Sequence, residues 1–162
     1  LVDVAHPSYT RTARNKTPVL YEGRENEIEI GKGIILKEGS DVAIIACGVM
    51  VSEALKAADE LEQKGIAATV GDMHTIKPLD DKLVHSLARK CGAIVTAEDH
   101  NIIGGLGGAV AEYLSSNIPI ILERVGVNDR FGESGQADEM LELMEISAPY
   151  IAKSAIRAIN RK

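Results

Sequence analysis

The sequence has no tryptophan and only one phenylalanine and four tyrosines, so aliphatic side chains must fill its core. Cysteine is as scarce: Cys47 and Cys91 are the only two, with no C-x-x-C pair and no histidine at ligand spacing from either. That argues against a disulfide framework or a zinc cage and leaves two buried thiols in a reducing cytoplasm. No apolar run approaches the ~20 residues that cross a bilayer, and no basic start with a short apolar core marks a secretory signal. The net charge of −6 argues against nucleic acid, whose phosphates need a basic face. No G-x-S-x-G elbow, H-E-x-x-H pair or P-loop occurs. The first residue is Leu1 rather than methionine, and the expectation is a segment of a longer protein. What is present is globular: 162 residues, 45% hydrophobic and 26% charged, enough for one core.

Periodicity then sets the architecture. Val42 to Cys47, Ile66 to Val70, Ala93 to Ala97 and Ile118 to Leu122 are short apolar runs, as expected of strands buried on both faces. Amphipathic stretches separate them, over Val51 to Gln63, from Asp80 or Asp81 to Cys91, and over Leu106 to Ser115. Gly65 and Gly92 are placed to stop the first two helices, and Ser147 with Pro149 opens a last one. Strand, helix, strand in repetition is the βαβ pattern. Ile34 to Leu36, followed by the turn residues Glu38-Gly39-Ser40-Asp41, is expected to pair antiparallel with the strand after it. The predicted fold is α/β, a three-layer α/β/α domain on a mostly parallel five-stranded sheet with one antiparallel edge strand.

Three clusters could carry chemistry. Arg11, Arg14 and Lys16 put three cations on a stretch where Tyr9, Thr10 and Thr12 favour an extended backbone or short strand. The stretch is either a solvated linker or an anion site, since a guanidinium fork suits phosphate. Gly105-Leu106-Gly107-Gly108-Ala109-Val110 follows a strand and opens a helix, as a dinucleotide loop does. It sits at the third βα turn, however, and Val110 stands where the fingerprint needs its last glycine, which favours close helix packing. Glu98-Asp99-His100 lies at the carboxyl end of a strand, with Asp72 and His74 at the corresponding place on the preceding one. Acid–base work or metal binding is chemically open to such residues, but three consecutive side chains cannot all face one target. Loop hydrogen bonding or an interface is the expectation.

Five motifs taken together resemble a known family. Thr10-Arg11-Thr12-Ala13-Arg14, Thr75-Ile76-Lys77-Pro78-Leu79-Asp80, Thr96-Ala97-Glu98-Asp99-His100, Gly104-Gly105-Leu106-Gly107 and Asp129-Arg130-Phe131-Gly132-Glu133-Ser134-Gly135 look like the C-terminal region of transketolase, in order and spacing, over essentially the whole chain. The resemblance implies a dimeric thiamine diphosphate enzyme of three α/β domains. Its cofactor lies between the first two domains of different subunits, with a divalent metal (magnesium or calcium). Residues 1–26 would be the tail of the preceding pyrimidine-binding domain and a linker, and residues 27–162 the transketolase C-terminal-like domain.

On that resemblance the segment lacks the diphosphate site, the metal ligands and the activating glutamate. It would have no catalytic residue of its own and no activity alone. One residue carries over, Arg14, which by resemblance holds the phosphate of a sugar substrate; Arg11 is a neighbour of that site. The implied partners are an N-terminal transketolase section, in the same chain or as a separate subunit, within a homodimer or heterotetramer. The implied reaction is two-carbon ketol transfer between sugar phosphates in cytoplasmic pentose phosphate metabolism. Deoxyxylulose-phosphate synthase and the β subunits of 2-oxo-acid dehydrogenases share the domain, and a non-catalytic assembly module is the remaining alternative.

Overall fold

A computed structural model describes residues 4–14, 16–23 and 27–162. The elements run β1 (Ile34–Lys37), β2 (Val42–Ala46), α1 (Met50–Glu62), β3 (Ala68–Asp72), α2 (Asp81–Cys91), β4 (Ala93–Asn101), α3 (Leu106–Asn117), β5 (Ile121–Val127), α4 (Ala137–Leu143) and α5 (Ala148–Ile159). The sheet order is β1-β3-β2-β4-β5, with β1 antiparallel to β3 and every other pairing parallel. The predicted three-layer fold is therefore the observed one. Helices α1 and α5 cover one face over Val42, Ile44 and Val95, while α2 and α3 cover the other over Ala43, Ile45 and Ile94. None of the described aromatic side chains is buried. Alanines such as Ala54, Ala58, Ala152 and Ala155 instead let α1 and α5 approach each other and the sheet closely.

One pairing differs from expectation. β1 does not pair with β2, because β3 lies between them. The turn after β1 explains this, since it is clamped to the start of β3 rather than closed as a hairpin. Ser40 N and Asp41 N both donate to Ala67 O at 3.0 and 2.8 Å, and Ala67 N donates to the Asp41 carboxylate at 2.7 Å. Gly39 N donates to Thr69 Oγ1 at 3.0 Å. A Cβ on Gly39 would stand 2.5 Å from the Ala67 backbone, so only glycine fits there.

Other boundaries move by a few residues. β3 and β5 each begin later and end further on than their apolar runs, and β4 continues through Glu98, Asp99 and His100. The expected strand around Tyr9 to Thr12 has no partner strand among the described residues, and those from 4 to 14 are exposed. Helix α4 was not foreseen. Its Gln136 N donates to the Glu139 carboxylate at 3.2 Å, which closes its first turn.

Helix ends follow the capping chemistry. Asp80 accepts from Leu83 N at 3.0 Å, and Gly92 takes the left-handed conformation at φ +68° that ends α2. At α5 the cap comes from elsewhere. The Ser147 hydroxyl is buried without a partner, and the Glu53 carboxylate of α1 accepts from Ala148 N at 2.9 Å.

Candidate functional site

The order β1-β3-β2-β4-β5 places a topological switch between β2 and β4. Ligands of open α/β sheets favour the carboxyl strand ends at such a point. Cys47, Asp72, Glu98 and Asp99 gather there. Two surface hollows lie at the opposite, amino ends, beside Gly92 and Ile121 and beside Lys37 and Ile66.

Glu98 has a structural task. Its carboxylate, 1% exposed, accepts from Leu106 N and Gly107 N, both at 2.8 Å, at the start of α3. It satisfies two of the helix's orphan donors and sets a negative charge against the positive end of the helix. The glycines make room for it. A Cβ on Gly105 would sit 1.8 Å from Glu98 Oε2, and one on Gly107 would sit 3.1 Å from Oε1. The loop that resembles a dinucleotide fingerprint is thus already filled by an internal carboxylate. Those two N–H groups are not available to a phosphate.

Its neighbours diverge, as alternation along a strand requires. His100 is half exposed, with Nδ1 2.8 Å from Asn101 O and 3.9 Å from Glu98 Oε2. His74 Nε2 lies 3.2 Å from Glu29 O. Among the described residues no three His, Cys, Asp or Glu converge to hold a metal ion. With the α3 N-terminus also occupied, the described residues do not fit a diphosphate with its metal.

The basic stretch behaves differently. Arg11 reaches Asp99 twice, donating from Nη1 to the backbone oxygen at 2.6 Å and from Nη2 to Oδ2 at 3.2 Å. Arg14 is exposed and makes no hydrogen bond or ion pair with any described residue. Sequence reasoning missed where this stretch is anchored. The Tyr21 hydroxyl donates to Asp72 Oδ2 at 2.5 Å, and the second Asp72 oxygen is buried with no hydrogen-bond partner. Burial pushes the Asp72 carboxyl up from its ordinary value, against the opposing pull of Tyr21 and His74. The only sequence signal was a carboxylate at the end of an apolar run, where a fully buried strand has no reason to carry one. Cys47 lies between these groups, and burial, with the charges of Glu98 and Asp72, pushes its thiol up to about 12.

The family described as Transketolase, C-terminal domain, matches residues 31–151. A 6-deoxy-6-sulfo-D-fructose transketolase subunit SqwH from Clostridium sp. (strain MSTE9) is 46% identical over 156 residues, covering 96% of this chain and 48% of that protein. A 1-deoxy-D-xylulose-5-phosphate synthase from Rippkaea orientalis is 40% identical over 86% of this chain and 22% of its own length. The solved structure described as split gene transketolase, inactive beta4 tetramer, superposes with a TM-score of 0.84 at 45% identity. That superposition covers 91% of this chain and 47% of that one. The chain thus spans about half the length of the SqwH subunit and of the split gene transketolase chain.

Proposed function

The chain belongs to the transketolase C-terminal domain family, and from that premise we propose that it is the C-terminal section of a split transketolase. It works with a separate N-terminal section that holds thiamine diphosphate and its divalent metal. The complete enzyme moves a two-carbon ketol unit between sugar phosphates. In this reading residues 1–26 belong with the pyrimidine-binding domain, and the section alone is inactive. Its contribution is positioning and electrostatics, while the cofactor supplies the carbanion chemistry.

The observation that carries the substrate role is Arg14, an exposed guanidinium with no partner among the described residues, three residues from an arginine that makes two hydrogen bonds to Asp99. A free fork of five N–H donors suits a terminal oxyanion, and one such charged contact contributes roughly 1.5–3 kcal/mol. The relative named for a sulfo-sugar fits the same logic, because a sulfonate offers a fork the same oxygens as a phosphate. A subunit contact is supported by Phe131, the only phenylalanine and 96% exposed, on a loop tied back by Arg130 to Leu143 O.

Mixing the purified chain with its N-terminal section, thiamine diphosphate and magnesium tests the reading. Ketol transfer from xylulose 5-phosphate to ribose 5-phosphate is expected from the mixture and from neither section alone. A mixture with no transfer would move the reading to the deoxyxylulose-phosphate synthase side of the family. Transfer by this chain alone would refute the division of labour.

A further inference from the structure

We propose that Arg11–Asp99 and Tyr21–Asp72 are two clips that hold residues 11–14 and 16–21 as the two limbs of an arch over the carboxyl end of the sheet, and that they are positioning residues for Arg14. The inference rests on the reading of Arg14 as the substrate-anion contact. Its geometry comes from where the feet of the arch stand. Asp99 is on β4 and Asp72 ends β3, the two strands that flank β2. Ala46 pairs in register with both Asp72 and Ala97, so the feet are two strand spacings apart across the sheet, on the order of 10 Å. The chain between Arg11 and Tyr21 could extend to roughly 35 Å. It is therefore slack and must bow outward.

The side chains agree with an arch. Leu20 packs against the core beside one foot, while the described residues from 12 to 19 are exposed, Val19 among them at 78%. Cys47, just past the end of the central strand, feels Glu98, Asp72, Arg11 and Asp99 together, as a group lying between the two feet should. Arg14 stands three residues beyond one foot, on the bowed part.

Nothing in the packing of β3 requires Asp72. It is 6% exposed, one of its oxygens is unpartnered, and it ends a strand of otherwise apolar or small residues and one satisfied threonine. A carboxyl buried in that state is costly. Its evident service is as acceptor for Tyr21. Arg11 is likewise a two-pronged donor to one residue, which fixes direction as well as distance. An arch with two fixed feet limits where Arg14 can travel, so less ordering remains to be done when the anion binds.

The test uses the complete enzyme, this chain assembled with its N-terminal section, assayed with xylulose 5-phosphate and with unphosphorylated xylulose. Tyr21→Phe, which loses one hydrogen bond, and Arg11→Ala, which loses two exposed ones, are each expected to raise KM for xylulose 5-phosphate by about threefold to tenfold. Their kcat, and their KM for xylulose, should stay at wild-type values. Asp72→Asn keeps an acceptor for Tyr21 and should keep the wild-type KM. Arg14→Ala should raise KM by roughly tenfold or more, and adding Tyr21→Phe to it should raise KM no further. If Arg14→Ala raises KM while Tyr21→Phe and Arg11→Ala do not, the clips are overturned and the Arg14 reading stands. If Tyr21→Phe lowers kcat, or affects xylulose as much as its phosphate, its role is structural and the inference fails. If Arg14→Ala itself leaves KM unchanged, the reading beneath it fails and the inference falls with it.

Discussion

Two regions at the carboxyl end of the sheet carry charge and use it in opposite ways. The glycine loop encloses Glu98 so fully that a single added carbon at Gly105 would collide with its carboxylate. The N-terminal arm holds Arg14 in the open with no partner among the described residues. Of the two, the glycine loop looks more like a ligand site in sequence. Two of its donors are already taken by Glu98, so its motif describes how the fold closes. The arm has little pattern, yet it retains an unused charged fork. Spare hydrogen-bonding capacity, rather than motif strength, separates a candidate site from a structural one here.

Substitution at the two places should therefore separate stability from binding. Glu98→Ala leaves the N–H groups of Leu106 and Gly107 buried without an acceptor, at about 1–3 kcal/mol each. Gly105→Ala forces the same carboxylate out of place. Urea denaturation should show a loss of roughly 3 kcal/mol or more for either variant, the largest effect expected in the chain. Arg14→Ala should stay within about 0.5 kcal/mol of wild type. Comparable losses at Glu98 and Arg14 would break the comparison.

How much of this could be read from residues alone follows from the range of each interaction. The three layers, the antiparallel edge and the stops at Gly65 and Gly92 were legible because periodicity and turn chemistry are local. The partner of β1 was not. It depends on Asp41 and Thr69 clamping the turn to β3, a contact between residues far apart in sequence. Helix α4 escaped because none of its residues is buried, so it shows no apolar stripe. At the site, the cations Arg11 and Arg14 were visible as residues, but the residues alone left linker and anion site both open, and only the resemblance singled out Arg14. The Tyr21–Asp72 clip was invisible, since a tyrosine and an aspartate fifty-one positions apart carry no joint signal.

Asp72 adds a dependence on pH. Burial holds the Asp72 carboxyl above its ordinary value of 3.8, so the folded state binds its proton more tightly than the unfolded chain does. The stability this group contributes is fully present below the unfolded value and is lost as pH rises through the folded one. Asp72→Asn has no such titration and still offers Tyr21 an acceptor. In urea melts at stepped pH, wild type should lose ground to Asp72→Asn as pH rises out of the acid range, then run parallel to it near neutrality. A difference that stays flat across the whole acid range would mean that Asp72 titrates as an exposed carboxyl, and that the arm does not seal it.

The smallest effect is expected at Cys47, which lies beneath the arch and reports on whether its feet stay closed. A thiol pushed up to about 12 has a thiolate fraction near pH 8 of roughly one part in ten thousand, and the thiolate is the reactive form. Cys91 is buried, and its thiol is also raised, chiefly by burial. A native sample treated with an aromatic disulfide reagent at pH 8 should therefore release almost no colour over minutes. The same sample in guanidinium should release two equivalents, one for each cysteine in the sequence. Tyr21→Phe provides the sharper reading, because loosening one foot should speed native labelling of Cys47 severalfold while leaving Cys91 silent. Fast labelling of wild type would mean that the carboxyl end of β2 is open to solvent, with the arm lying beside it rather than across it.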